Sequence, residues 1–161
     1  DGCKEFNATF IFNSTRIEFD LKFDEASADG GVALVWTESQ GLSEELPILS
    51  ALGYKGLIGQ GVEFDLQIDP DVDPNFSHIA LVKTEDQEHL TTTNMVSFGG
   101  DWKRVRVFLV NTRMKEDIDG IPYLDITHPS SNPVSRFLGF TASSQAGSYE
   151  IDNLQVVGTC Q

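Results

Sequence analysis

The chain has 161 residues, 40% apolar and 22% charged, with a formal net charge of -14. This length can bury a core of its own, and no apolar run approaches the ~20 residues of a membrane-spanning helix. The acidity excludes nucleic acid and anionic membrane surfaces as expected partners, because phosphate recognition needs clustered Lys and Arg, and with no long apolar run no direct membrane insertion is expected. The excess carboxylate serves either solubility through self-repulsion or, at some positions, cation binding.

In chain order, residues 15–23 (TRIEFDLKF) alternate apolar and polar, as a half-buried strand does. A turn is expected at Asp29-Gly30, then a buried strand over 31–36 (GVALVW) and one short helical turn within 42–52. Further strands are predicted over 61–68 (GVEFDLQI), 78–82 (HIALV), 104–110 (RVRVFLV), 136–141 (RFLGFT) and 149–157 (YEIDNLQVV), with turns at Gly99-Gly100 and Asp119-Gly120. Trp36 and Trp102 lie in apolar strand contexts and read as core residues. Many strands without convincing helix predict an all-β sandwich or barrel of antiparallel sheets. Without internal repeats or a linker, residues 1–161 read as a single domain.

The only cysteines, Cys3 and Cys160, stand near opposite ends. They are either free thiols or a disulfide; the disulfide is expected, because domain termini often lie close together. It would contribute roughly 4–5 kcal/mol in the chain-entropy model and imply an oxidising compartment. Three N-glycosylation sequons, at Asn7, Asn13 and Asn75, point the same way. With no signal peptide in view, the chain reads as a mature or excised glycoprotein domain, secreted or on an extracellular surface, or alternatively in the lumen of the secretory pathway.

Residues 63–78 (EFDLQIDPDVDPNFSH) concentrate Glu63, Asp65, Asp69, Asp71, Asp73 and His78. If the strand persists, Glu63, Asp65, Gln67 and Asp69 share one face, and an inward row of carboxylates is costly unless neutralised. Pro70 and Pro74 force a loop that can carry Asp73 and His78 back toward the strand. Oxygen ligands suit calcium, and acids with an imidazole suit a manganese- or zinc-like ion. The alternative is a solvated acidic loop with a coincidental histidine.

Residues 61–79 (GVEFDLQIDPDVDPNFSHI) closely resemble the metal-binding segment of legume-type (L-type) lectins. Ala28-Asp29-Gly30 before VALVW, Leu52-Gly53-Tyr54-Lys55-Gly56-Leu57, and Gly139-Phe140-Thr141-Ala142-Ser143 resemble three further family motifs, in family order. The resemblance implies a concanavalin A-like jelly-roll sandwich. It also implies that Glu63, Asp65, Asp73 and His78 bind a transition metal (Mn2+ or similar), and that Asp65, the Gln67 carbonyl, Asp69 and Asp73 bind Ca2+. Asp29, after a cis peptide bond, would accept hydrogen bonds from sugar hydroxyls. Asp69 would lie beside the sugar, and the loop holding Ser144, Gln145, Ala146 and Gly147 would select it.

The departures fall on the sugar site. Asp69 stands where the family usually has Asn, and an ionised carboxylate cannot donate to the sugar. Gln67 replaces a common stacking aromatic, and no glycine near Leu49-Ser50 matches the second loop's N–H donor. The chain is also shorter than a legume lectin. The expected function is calcium-dependent, non-catalytic binding of glycans or glycoproteins, within a larger multidomain or multivalent surface protein. The alternative is a calcium-stabilised adhesion or protein-binding module that has lost sugar binding.

Residues 150–155 (EIDNLQ) resemble a glycoside-hydrolase motif whose last acid is here Gln155, which cannot cycle a proton. His89 and His128 lack ligand-like spacing to His78 and read as surface residues.

Overall fold

The structure is a computed structural model describing residues 5–10, 14–24, 29–38, 51–66, 73, 77–94, 97–110, 112–127, 136–146 and 148–158, with backbone alone at 5–10, 29, 51, 94, 136 and 144–146. The described strands are β1 (Glu5–Phe10), β2 (Ser14–Phe23), β3 (Asp29–Thr37), β4 (Gly59–Asp65), β5 (His78–Lys83), β6 (His89–Asn94), β7 (Lys103–Val110), β8 (Arg113–Ile118), β9 (Ile121–Thr127), β10 (Arg136–Ala146) and β11 (Tyr149–Gly158). They form two antiparallel sheets, one of six strands in the order β1-β10-β3-β4-β5-β6 and one of five in the order β11-β2-β7-β8-β9.

Strand alternation builds the sandwich. Ile17, Phe19, Leu21 and Phe23 of β2 meet Val32, Leu34 and Trp36 of β3, Val62 and Phe64 of β4, and Ile79 and Leu81 of β5 in one buried cluster. Phe19 packs edge-on against Phe64 and Phe140, with centroids 6.1 and 4.9 Å away. Such edge-to-face pairs add to the area buried.

The six-stranded sheet is covered on its outer face too. Ala33, Val35, Ala80 and Val82 pack there under Leu52, Tyr54 and Leu57. Gly31 allows this approach: a Cβ on it would lie 2.5 Å from the Phe64 carbonyl oxygen and 3.1 Å from Leu52 Cδ1. Gly56 N–H donates to the Thr84 carbonyl and Thr84 Oγ1 to the Leu57 carbonyl, tying the covering segment to the β5–β6 turn.

Several expectations need correction. Asp29-Gly30 opens β3 rather than making a turn. Residues 42–50 lie outside the described residues, and Ala51–Gly53 forms a short 3-10 turn with Leu52 at φ 50. Trp36 is core, but Trp102 is 43% exposed, with Lys22 Nζ 5.6 Å from its ring centroid. β1, β6, β8 and β9 are not among the strands that the sequence predicts. Asp119-Gly120 does form the β8–β9 turn, at φ 52 and 82, the positive pair that a tight hairpin requires.

Candidate functional site

On β4, Val62 and Phe64 point into the core, so Glu63 and Asp65 face outward under the covering segment. Register sets Glu63 between Ala33 and Ala80, and Asp65 between Gly31 and His78. β4 runs to Asp65, and of the expected row of four only Glu63 and Asp65 are among the described residues; Gln67 and Asp69 lie outside them.

His89 joins this face through a β-bulge. Leu81 pairs with Thr91 but Val82 pairs with His89, leaving Leu90 as the extra residue. Leu90 packs on the inter-sheet core and His89 turns outward. Far from being a surface residue, His89 has a side chain only 11% exposed. His128 lies outside the described residues.

One ligand-capable atom from each of Glu63, Asp73, His78 and His89 lies within 4.8 Å of the other three. His78 Nε2 is 2.9 Å from Glu63 Oε1 and 3.6 Å from Asp73 Oδ1. His89 Nε2 is 2.7 and 3.7 Å from the same two oxygens. Tyr54, buried above them, donates its hydroxyl to Glu63 Oε2. Tetrahedral ligands at ~2.0–2.1 Å from one ion would lie roughly 3.3 Å apart, so the observed separations bracket those of a small divalent site.

Burial opposes a charge on Glu63, but hydrogen bonds with His78, His89 and Tyr54 outweigh it and hold its pKa at about 2. Burial also opposes a cation on His78; Glu63, Asp73 and Asp65 prevail and raise its pKa. Burial and the Glu63 charge raise the Tyr54 pKa, keeping the phenol a donor. His78 Nδ1 is buried with no hydrogen-bond partner among the described residues. The donor set fits a divalent metal: carboxylates and imidazole nitrogens converge on one point, and the buried Glu63 charge is one that an ion would neutralise.

The residues expected to bind sugar are placed by backbone. Asp29 pairs with Ala146, Gly30 with Ser144 and Gly31 with Ser143. Gly30, at φ 133, lies so close to β10 that a Cβ would come within 2.0 Å of the Ser143 carbonyl oxygen. The Gly30 carbonyl accepts from Leu66 N–H at 2.9 Å, joining the start of β3 to the end of β4. The 28–29 peptide bond, Gly147, Asn13, Asn75, Cys3 and Cys160 lie outside the described residues, and Asn7 is described by backbone alone in β1. Residues 150–155 lie on β11, at the edge of the other sheet, where Glu150 pairs with Lys22 at 2.7 Å.

Solved structures share this architecture. The VIP36 exoplasmic/lumenal domain in its Ca2+/Man-bound form matches at TM-score 0.74 and 13% identity, over 95% of this chain and 71% of that one. The potassium-bound Emp46p carbohydrate recognition domain matches at TM-score 0.72 and 16% identity, over 94% and 75%. A basic winged bean lectin with Tn-antigen matches at TM-score 0.63 and 18% identity, over 81% and 60%. The chain thus has the jelly-roll fold of L-type lectin domains. No protein-family model and no curated protein sequence matches it.

Proposed function

We propose that this chain is a non-catalytic carbohydrate-recognition module of the L-type lectin kind, binding glycans or glycoproteins beside a calcium ion and a second, transition-metal ion. The observation that supports it most is convergence at one end of the six-stranded sheet. The β3 start with Asp29, the β10 end at Ala146 and the β4 end at Asp65 are joined there by strand register and the Leu66–Gly30 hydrogen bond. In this reading Asp29 accepts from vicinal sugar hydroxyls, the end of β10 at Ser144, Gln145 and Ala146, where a loop was expected, completes the pocket with Gly147, and Asp65, the Gln67 carbonyl, Asp69 and Asp73 hold calcium. Glycan contacts of this shallow, wet kind are weak per site, so function would depend on several copies on one surface.

A glycan array at fixed calcium tests the proposal. Asp29→Ala should abolish binding while leaving calcium-dependent melting intact. Asp69→Asn should keep calcium and strengthen glycan binding, because the amide restores a donor. A blank array for both wild type and Asp69→Asn would leave a protein-binding adhesion module of the same fold.

A lumenal or extracellular location, with Cys3 and Cys160 bridged and Asn7, Asn13 and Asn75 as glycan acceptors, belongs to the same proposal. Thiol titration of the unreduced, unfolded protein should find no free thiol; two per chain would remove the disulfide.

A further inference from the structure

We propose that Glu63, Asp73, His78 and His89 form a two-imidazole, two-carboxylate centre that takes a zinc-class ion in preference to manganese or calcium. This deepens the metal half of the proposed function and does not depend on glycan binding. The ligand set implied by resemblance holds one imidazole and three carboxylates, an oxygen-rich set suited to manganese. His89 changes that balance.

The geometry carries the change. Both Nε2 atoms face the same two oxygens, Glu63 Oε1 and Asp73 Oδ1, at 2.7 to 3.7 Å. The imidazoles approach from opposite directions along the sheet, since His78 and His89 lie at the register of Asp65 and Gly61 respectively, on either side of Glu63. Ala80, between them on β5, leaves room for the two rings, whose centroids are 5.1 Å apart at 64°. Tyr54 occupies Glu63 Oε2, leaving Oε1 for an ion and making Glu63 a one-oxygen ligand. Two imidazole nitrogens and a one-oxygen Glu63 suit tetrahedral zinc rather than the larger, all-oxygen coordination shell of calcium.

Charge and softness agree with the geometry. Two carboxylates and two neutral imidazoles exactly balance a divalent ion, which matters where Glu63 and His78 are 2% and 0% exposed. Imidazole nitrogen favours zinc and cobalt over manganese in the general affinity order, and calcium prefers oxygen throughout. The β6 bulge serves the site: it sends Leu90 to the core and His89 to the metal-facing side.

The test uses the EDTA-treated full chain with Zn2+, Co2+, Mn2+ or Ca2+ alone. Zinc should bind at least ~10-fold tighter than manganese, and the cobalt form should show the intense visible absorption of four-coordinate Co2+. His89→Ser should lose ~100-fold or more of zinc affinity while manganese affinity changes little. His89→Gln provides a second variant. Imidazole 15N NMR of the wild type reads the site without substitution: zinc should shift both the His78 and His89 Nε2 signals. Manganese binding as tight as zinc, or a His89 signal unmoved by zinc, would overturn this inference and leave the metal reading standing. Failure of the wild type to bind any of the transition ions would overturn both.

Discussion

Replacing Glu116 with Gln should stabilise the metal-stripped protein against urea by about 3 kcal/mol at pH 7 and leave it nearly unchanged at pH 4. Glu116 is 1% exposed on β8, between Met114 and Ile118, which both join the inter-sheet core. Its strand neighbours are Val107 on β7 and Leu124 on β9, both buried and apolar. Neither carboxyl oxygen has a hydrogen-bond partner among the described residues. Burial, and then the like charge of Asp117, raise its pKa from 4.5 to about 8. Between those values the folded state retains a proton that the unfolded chain releases. Stability is therefore fully present below pH 4.5 and is lost as the pH rises through 8, the total approaching about 5 kcal/mol. Gln has the same shape without the charge, so its advantage should grow across that window. Urea midpoints at pH 4, 6 and 8 measure it, and an effect of equal size at pH 4 and pH 8 would refute the buried-carboxyl account.

The same residue explains why part of the fold escaped the sequence. In RMKEDI the inward positions are Met114, Glu116 and Ile118, so an acid interrupts the apolar period that marks a strand. Pro122 disguises β9, where an edge position tolerates the missing donor. In β6 a threonine run and a bulge erase the alternation. The strands that were legible, β2 and β3 among them, carry their inward residues uninterrupted.

The site divides along the same line. Glu63 and Asp65 could be read because alternation puts them on one face, and Asp73 and His78 because the prolines at 70 and 74 force a loop that can return them to the strand. His89 could not: strict alternation from Thr91 sends it toward the core, and only the bulge at Leu90 turns it outward. The available signal was the short polar turn after β5, which returns the chain across His78. Tyr54 depended on how the covering segment packs over β4, a tertiary fact with no local period. Trp102 failed in the opposite sense: it stands between Asp101 and Lys103, just before β7 begins, where no strand alternation sets its face.

Glu63→Ala should cost about 3–5 kcal/mol and abolish zinc-dependent melting, the largest loss expected from one substitution at the site. The carboxylate accepts from Tyr54 through Oε2 and meets both imidazoles through Oε1. Truncation removes the shared acceptor of three polar groups, of which Tyr54 and His78 are 1% and 0% exposed. It also leaves positive charge on His78 opposed only by Asp73 and Asp65, while burial disfavours that charge. Glu63→Gln separates shape from charge. Its amide oxygen can still accept from Tyr54, but the amide nitrogen cannot accept from an imidazole or bind a divalent ion. Gln should therefore recover part of the folding stability and none of the zinc response. Tyr54→Phe, which frees Oε2 alone, should cost about 1–3 kcal/mol and keep the zinc response. Urea unfolding of the three variants with EDTA, then melting with zinc, gives the order Ala, Gln, Phe from least to most stable, with only the Phe variant responding to the ion. A Glu63→Ala protein as stable as wild type would show that Tyr54, His78 and His89 do not depend on this carboxylate.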